Sequence, residues 1–307
     1  MTDIQNRARG AMLGLACGDA LGTTVEFARR DSFSLLTEMT GSGPFRVKKG
    51  DWTDDTAMAL CLAASLTEQK EFDSIDQLKR YAAWYSEGYQ ACQAECIDIG
   101  FTTRSAIKRF MHAEVPYAGE TDPLTSGNGG IMRLAPSVIA AVDSDSAVAM
   151  AINSSRTTHA SPDCLDSAKL LGLILWKLLQ GESIKNVLAK LPKFTSTSPV
   201  INRIFHGYFR HLSRPQIRSG GYVIDTLEAA LWSCYNATSF EEAIVLAVNL
   251  GGDADTVAAV AGQIAGAAWG ETAIPERWLA ELAWRDRIQT YADELLTLQI
   301  KYAGDRQ

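Results

Sequence analysis

The chain of 307 residues is 47% hydrophobic, which provides enough apolar material for one large domain or two modest ones. Its formal net charge of -7 argues against a binder of duplex nucleic acid, because such a protein needs a basic face. Six scattered cysteines without a CxxC pair predict reduced thiols in a cytoplasmic protein. The start MTDIQNRARG lacks the layout of a secretory signal, and no stretch of about 18 apolar residues is free of charge, so we expect no membrane partner.

Apolar residues recur with helical spacing along most of the chain, whereas the alternating β-branched runs typical of strands are few. The pattern predicts an all-α fold. We expect helices at residues 7–21, 56–66, 78–87, 133–142, 165–179, 226–232, 240–249 and 257–269. No flexible linker divides the chain, which predicts a single compact multi-helix domain over residues 1–307, with an irregular excursion at 192–221.

Two of these helices carry small residues at four-residue spacing. The positions are Gly10, Gly14, Gly18 and Gly22 in the first helix, and Ala258, Gly262 and Gly266 in the last. Glycine inside a helix costs roughly 1 kcal/mol relative to alanine, so the repeat indicates that another backbone approaches closely on that face. We therefore expect close contact between helices at these positions.

Two acidic clusters stand directly before helices, some two hundred residues apart. The first contains Thr53, Asp54 and Asp55, and the second contains Asp253, Asp255 and Thr256. Capping of the helix N-terminus explains one carboxylate per helix but not two or three. A bound cation would offset the repulsion, and oxygen ligands of this kind select Mg²⁺ or Mn²⁺ over zinc. Capping and a metal site both remain open at this stage.

Further acids and one glycine-rich loop complete the candidate features. Asp19 and Glu26 flank a Gly-Thr-Thr turn, and Asp98 lies between two isoleucines. The loop from Ser126 to Gly130 (SGNGG) precedes a predicted helix and offers successive N–H groups to an anion, although such turns are common and the GK[ST] ending of a P-loop is absent. His159 lies near a helix start, and a lone histidine is more often structural than catalytic.

Taken in order, these motifs resemble the ADP-ribosylglycohydrolase family, which includes the dinitrogenase reductase-activating glycohydrolase. The resemblance rests on RARGAMLGLACGDALGTTVEF, WTDDTAMAL, IDIGFTTRSAI, SGNGGIMRLAP, TTHASPDC, GGYVIDTLEAALW and NLGGDADTVAAVAGQIAGA. It extends over the chain to about Trp269, and seven ordered motifs make chance agreement very improbable.

The resemblance implies an all-α fold with a two-metal cleft, two Mg²⁺ or Mn²⁺ ions, and removal of ADP-ribose from an ADP-ribosylated protein. The implied metal ligands are Thr53, Asp54, Asp55, Asp253, Asp255 and Thr256. The implied catalytic residues are Glu26, Asp54, Asp55, Asp98 and Asp255, with Glu26 close to the ions and Asp98 facing the guanidinium of an arginine acceptor. The implied substrate-binding residues are Ser126, Gly127, Asn128, Gly129 and Gly130 for the diphosphate, His159 for the distal part, and Tyr222 for the adenosine half.

Cleavage at the anomeric carbon of the distal ribose passes through an oxocarbenium-like state, so the site must fix the ribose and deliver water. Glu26 is the expected general base, and Asp98 would orient or help protonate the leaving guanidine. Arginine is the favoured acceptor because of Asp98, and ADP-ribose is the expected product. Serine-linked or O-acyl ADP-ribose, a non-catalytic ADP-ribose-binding protein and a phosphohydrolase that releases AMP are the alternatives.

Overall fold

A computed structural model describes residues 1–196, 198–302 and 304. Its α-helices are α1 (Asp3–Gly22), α2 (Asp54–Gln69), α3 (Ser74–Glu87), α4 (Phe101–Ala113), α5 (Ala135–Ile139), α6 (Ser144–Arg156), α7 (Pro162–Leu179), α8 (Ile184–Ala189), α9 (Ile201–Phe205), α10 (Val223–Asn236), α11 (Phe240–Val248), α12 (Ala254–Trp269), α13 (Glu276–Leu279) and α14 (Arg285–Leu298). Short 3-10 turns separate several of them, and the described backbone forms isolated bridges but no β-strand. The expected all-α fold is confirmed.

The predicted helix at 133–142 is wrong in its extent, because α5 covers only Ala135–Ile139. Pro136 occupies its first turn, where proline is tolerated because its missing N–H would have no partner within the helix. Beyond Ile139 the chain turns to pair with Ile300, whose N–H donates to the carbonyl of Ala140 at 2.7 Å. The SGNGG loop itself contains a 3-10 turn at Asn128–Gly130, and it does not lead directly into a helix, because α5 begins only at Ala135.

Helices α1 and α12 pack backbone against backbone along their small residues. A Cβ atom added to Gly14 would lie 2.3 Å from the carbonyl oxygen of Gly262, and one added to Gly18 would lie 2.1 Å from that of Ala258. Such distances leave no space for any side chain, so the expected close helix contact is confirmed. The pairing runs antiparallel, and it brings the C-terminal end of α1 against Asp255 at the start of α12, because a Cβ atom added to Gly22 would lie 2.4 Å from the Cα of Asp255.

One contiguous hydrophobic core extends from α1 to the residues after α14 and includes large buried side chains such as Trp84, Phe209 and Trp278. This continuity supports the expectation of a single domain. The six cysteines are unpaired. Among the described residues, no helix is both long and apolar enough to cross a membrane.

Candidate metal centre and active site

The N-terminus of α2 is capped by a carboxylate from α1. Asp19 is fully buried and accepts hydrogen bonds from the backbone N–H groups of Thr53 and Thr56, at 2.9 and 3.0 Å. It also accepts from both hydroxyls, at 2.8 Å from Thr53 and 2.6 Å from Thr56. Since Asp19 already accepts from the N-cap residue Thr53 and from Thr56 in the first turn, the carboxylates of Asp54 and Asp55 are not needed for those two capping bonds. The Thr53 hydroxyl gives its proton to Asp19 and keeps lone pairs available for a cation.

The two acidic clusters of the sequence converge in space. Carboxylate oxygens of Asp19, Asp55 and Asp255 lie within 4.8 Å of one another. Oxygens of Glu26, Asp98 and Asp255 form a second group with the same spacing. Asp255 belongs to both groups and therefore lies where they meet.

Several oxygens of these groups have no partner within the described structure. Asp55 Oδ1, Asp255 Oδ2 and Glu26 Oε2 are buried and accept no hydrogen bond. Burial, followed by the neighbouring carboxylates, raises the pKa of Asp55, Asp255 and Glu26 above the ordinary carboxyl value. A buried acceptor without a partner is costly, and a hard divalent cation supplies the partner that these oxygens lack. The donor set, made only of oxygen atoms, fits Mg²⁺ or Mn²⁺.

The acids open into a cavity of about 270 Å³. Its lining includes four carboxylate residues and a wall of small and neutral residues, and the described part of it contains no lysine or arginine. The four acids are Glu26, Asp54, Asp98 and Asp253. Burial raises the pKa of Asp98 to about 6. Burial, followed by the charge of Asp98, also raises the pKa of Asp54. The cavity therefore accommodates positive charge.

The loop after Glu26 is joined to the loop before Asp253. The N–H of Phe27 donates to the carbonyl of Gly252 at 2.7 Å, and the N–H of Gly252 donates to Ala28 at 2.9 Å. This pair of bonds holds Glu26 beside the second acidic cluster although the two segments are far apart in sequence. Asp98 is likewise fixed, in a left-handed conformation (φ 53°) with Oδ1 accepting from Ile99 N–H at 2.7 Å.

The glycine-rich loop borders both the acids and a neighbouring groove. Asn128 Nδ2 donates to Asp253 Oδ2 at 3.0 Å, which couples the loop to the acidic cluster. On the other side, Ser126, Gly127 and Tyr222 line an open groove of about 610 Å³. Tyr222 is fixed there by a 2.6 Å hydrogen bond from its hydroxyl to Asp163. An elongated ligand can thus extend from the acids, past the loop, to the tyrosine.

His159 lies beneath this loop as a neutral donor. Its Nδ1 is 2.8 Å from the Thr158 hydroxyl, which itself accepts from the buried guanidinium of Arg133 at 2.7 Å. The described structure offers the Thr158 proton no other acceptor, so the hydroxyl donates to Nδ1 and the ring proton resides on Nε2. Burial, with Arg133 as the second cause, lowers the pKa of His159 to about 3. Because its ring contributes to the cavity, Nε2–H can donate to a ligand there.

The structure places most of the proposed site residues at one cavity, whereas Ser126 and Tyr222 line the neighbouring groove. Of the predicted set, Glu26, Asp54, Asp98, Gly127, Asn128, Gly129, His159, Asp253 and Thr256 line the cavity. Asp55 and Asp255 lie buried beneath it, and Asp55 accepts from the Thr256 hydroxyl at 3.5 Å. Sequence reasoning noted Asp19 but assigned it no role, although an acid in so apolar a helix was a usable signal. Asp51 turns away, accepting from Lys48 N–H at 3.2 Å and Gln93 at 2.8 Å.

Fold and site define an all-α protein with a carboxylate-lined cleft suited to hard divalent cations. The family model for ADP-ribosylglycohydrolase matches residues 1–304. The ADP-ribosylarginine hydrolase Tri1 of Pseudomonas putida is 43% identical over 94% of this chain and 78% of its own length. The ADP-ribosyl-[dinitrogen reductase] glycohydrolase of Rhodospirillum rubrum is 33% identical over 96% of this chain and 97% of its own length.

A solved structure titled an ADP-ribosylglycohydrolase-related protein complex has a TM-score of 0.85 and 40% sequence identity, and the match covers 97% of this chain and all of that chain. The chain belongs to the ADP-ribosylglycohydrolase family. The resemblance stated from its motifs and the prediction that it is a glycohydrolase are thereby confirmed.

Proposed function

We propose that the protein hydrolyses the bond between the distal ribose of ADP-ribose and an arginine side chain of an ADP-ribosylated protein, with two divalent cations, Mg²⁺ or Mn²⁺. The main support is the cluster in which Asp255 joins two groups of carboxylates, with buried oxygens of Asp55, Asp255 and Glu26 that lack hydrogen-bond partners in the described structure. The arginine hydrolases among the relatives, at 43% and 41% identity, support the choice of acceptor.

The proposed cation ligands are Thr53, Asp54, Asp55, Asp253, Asp255 and Thr256, with Glu26 close by. Bound there, the ions would organise the ribose hydroxyls and lower the pKa of a water molecule. The neighbouring residues prepare the ligands: Asp19 holds the Thr53 hydroxyl at 2.8 Å, and Asn128 holds one oxygen of Asp253 at 3.0 Å. Such partners fix the direction of each ligand oxygen.

Glu26 is the proposed general base. Its Oε2 has no hydrogen-bond partner in the described structure, and its loop is fixed by the Phe27 and Gly252 backbone bonds. In the proposed reaction the oxygen of water bonds to the anomeric carbon while the carbon–nitrogen bond breaks. Glu26 takes a proton from the water, and the departing neutral guanidine regains one, so arginine and ADP-ribose are the products.

Asp98 is the proposed counter-ion of the acceptor. It shares the cavity with Glu26 and lies within 4.8 Å of it, in a wall that carries no described cationic side chain. A planar guanidinium can donate two N–H groups to one carboxylate, which gives both attraction and orientation. A serine or acyl acceptor offers no such charge.

The remaining part of ADP-ribose would follow the loop and the groove. The loop from Ser126 to Gly130 is proposed to hold the diphosphate, although the N–H groups of Gly127 and Asn128 already donate to the carbonyls of Thr125 and Gly221. Since the described lining of the cavity contains no lysine or arginine, the diphosphate would be held by dipoles. His159 would add a neutral Nε2–H donor, and Tyr222 would pack against the adenosine half. Binding would thus be local and not driven by the net charge of -7.

The proposal is tested with purified protein and arginine-, serine- and O-acetyl-linked ADP-ribose, each with Mg²⁺, with Mn²⁺ and with EDTA, while free ADP-ribose is quantified by chromatography. We expect release from the arginine-linked substrate that requires metal. Release from serine alone would reassign the acceptor, AMP as the product would indicate a phosphohydrolase, and no release from any substrate with metal present would refute the enzymatic function.

Variants locate the activity in the carboxylate cluster. Asp54→Ala and Asp255→Ala are expected to abolish release while the helical circular dichroism spectrum persists. Asp51→Asn is the matched control, because Asp51 belongs to the same acidic stretch but bonds Lys48 and Gln93 outside the cavity. If Asp51→Asn were as inactive as Asp54→Ala, the loss could not be attributed to the cluster.

A further inference from the structure

Two phenylalanine rings are exposed at the carboxylate-lined cavity. Phe27 is 67% exposed and Phe101 is 73% exposed, and both contribute to the same lining as Asp98. Phe101 opens α4 three residues after Asp98, and Phe27 directly follows Glu26. Large apolar side chains left in water beside an acidic site indicate a ligand or partner that covers them.

The backbone holds Phe27 in this exposed position at a cost. Its φ of 61° is left-handed, which is unfavourable for a bulky residue. The hydrogen bond from its N–H to Gly252 maintains this conformation, and the ring rests edge-on against Phe45 at 6.1 Å between centroids. The surroundings therefore fix the ring at the cavity instead of folding it into the core.

The chemistry of the site matches a planar cation. Its described lining combines four carboxylates with two phenylalanine rings and contains no lysine or arginine. An aromatic face attracts a guanidinium electrostatically, and arginine also stacks on such rings. The Phe101 ring already makes one such contact, because the guanidinium of Arg104, which is not part of the described lining, lies 6.0 Å from its centroid.

We propose that Phe27 and Phe101 bind the guanidinium of the modified arginine by cation–π contact, while Asp98 serves as its counter-ion. This inference rests on the proposed function and adds the residues that select the acceptor. Attraction to the rings acts on the positive charge of the substrate before cleavage. As the bond breaks, that charge moves to the ribose, so the rings contribute to substrate binding more than to the chemical step.

The test compares Phe27→Leu, Phe101→Leu and the double variant with the wild type on ADP-ribosylarginine. Leucine keeps apolar bulk but has no aromatic face. We expect each single change to raise KM about 5- to 30-fold with kcat little changed. Phe101→Trp should keep KM near the wild-type value, because tryptophan is the best cation–π partner. The affinity for free ADP-ribose, measured by calorimetry, should not change, since this ligand has no guanidinium.

Leu35→Ala is the matched control, because it truncates an apolar side chain that is 72% exposed and lies outside the described lining of the cavity. It should leave both KM and ADP-ribose affinity unaltered. An unchanged KM in the double variant, or an equal loss of ADP-ribose affinity, would overturn this inference while leaving the proposed function in place. A wild type that does not cleave ADP-ribosylarginine would overturn both.

Discussion

Replacing Asp255 by asparagine should change stability in opposite directions with and without metal. Asp255 is 1% exposed, and its oxygens lie within 4.8 Å of those of Asp19, Asp55, Glu26 and Asp98. Burial, followed by the charge of Asp253, raises its pKa. In EDTA at neutral pH an ionised Asp255 is repelled and poorly solvated, so the neutral isostere should unfold at a higher temperature than the wild type.

With metal the order should reverse. An ion present at one hundred times its dissociation constant stabilises the folded state by about 2.7 kcal/mol, so two ions contribute about 5 kcal/mol. For a chain of this size that free energy corresponds to a rise in Tm of about 10 °C. Because Asp255 belongs to both carboxylate groups, its loss should reduce the rise to less than half.

Thermal unfolding followed by circular dichroism, in EDTA, Mg²⁺ and Mn²⁺, measures these shifts directly. Asp51→Asn serves as the control, since it removes an acid of the same stretch from outside the cavity and should show the full metal-dependent rise. The reasoning is refuted if metal does not raise the Tm of the wild type. It is equally refuted if Asp255→Asn retains the whole rise.

Three further outcomes follow from the packing, charge and tautomer described above. Gly262→Ala should destabilise the fold by about 3 kcal/mol or more, because its Cβ would lie 2.0 Å from a backbone oxygen of α1. Gly220→Ala is the control and should be near neutral, because open space surrounds that position. Denaturant titrations measure both changes in the free energy of unfolding. The pKa of Asp98 is 3.8 in the unfolded chain and about 6 in the folded protein, so in EDTA its protonated form contributes full stability below pH 3.8, and this contribution is lost as the pH rises through about 6. Asp98→Asn should therefore flatten the dependence of stability on pH between these two values. Thr158→Val should shift the ring proton of His159 from Nε2 toward Nδ1, whereas Thr158→Ser should not. ¹⁵N NMR spectra report the tautomer, and only four histidines contribute to them. A proton that stays on Nε2 in the valine variant would contradict the assigned tautomer.

Helical periodicity predicted the most apolar helices well and missed several of the amphipathic ones. The apolar segments of α1, α2, α7 and α12 were recognised, with ends displaced by a few residues. Helices α4, α6 and α14 were missed, together with the short α8, α9 and α13, because charged or polar residues interrupt their apolar positions. Yet Ala106, Ile107 and Phe110 in α4, and Ile288, Ala292 and Leu295 in α14, have the three- and four-residue spacing of one buried face.

The candidate site was predictable in its members and not in its geometry. Crowded acids before helices indicated cations, but only the packing of α1 reveals that Asp19 caps α2 and releases Asp54 and Asp55 from that task. The left-handed conformation of Phe27 accompanies its hydrogen bond to distant Gly252, and that of Asp98 accompanies a hydrogen bond from the next residue, Ile99. Neither residue type favours this conformation strongly enough for the sequence to predict it.

The glycine contact between α1 and α12 is what places the carboxylates together. It aligns Gly14 and Gly18 with Gly262 and Ala258, so the C-terminal end of α1 meets the N-terminus of α12. Asp19 near that end caps α2, and α12 begins with Asp255 in its first turn. The N-termini of α2 and α12, from distant parts of the chain, thus converge on one point. Their positive ends favour negative charge there, and the remaining repulsion among the carboxylates is what a pair of cations would offset. The small residues therefore act on the site through helix spacing, since any side chain between α1 and α12 would move Asp255 away from Asp19.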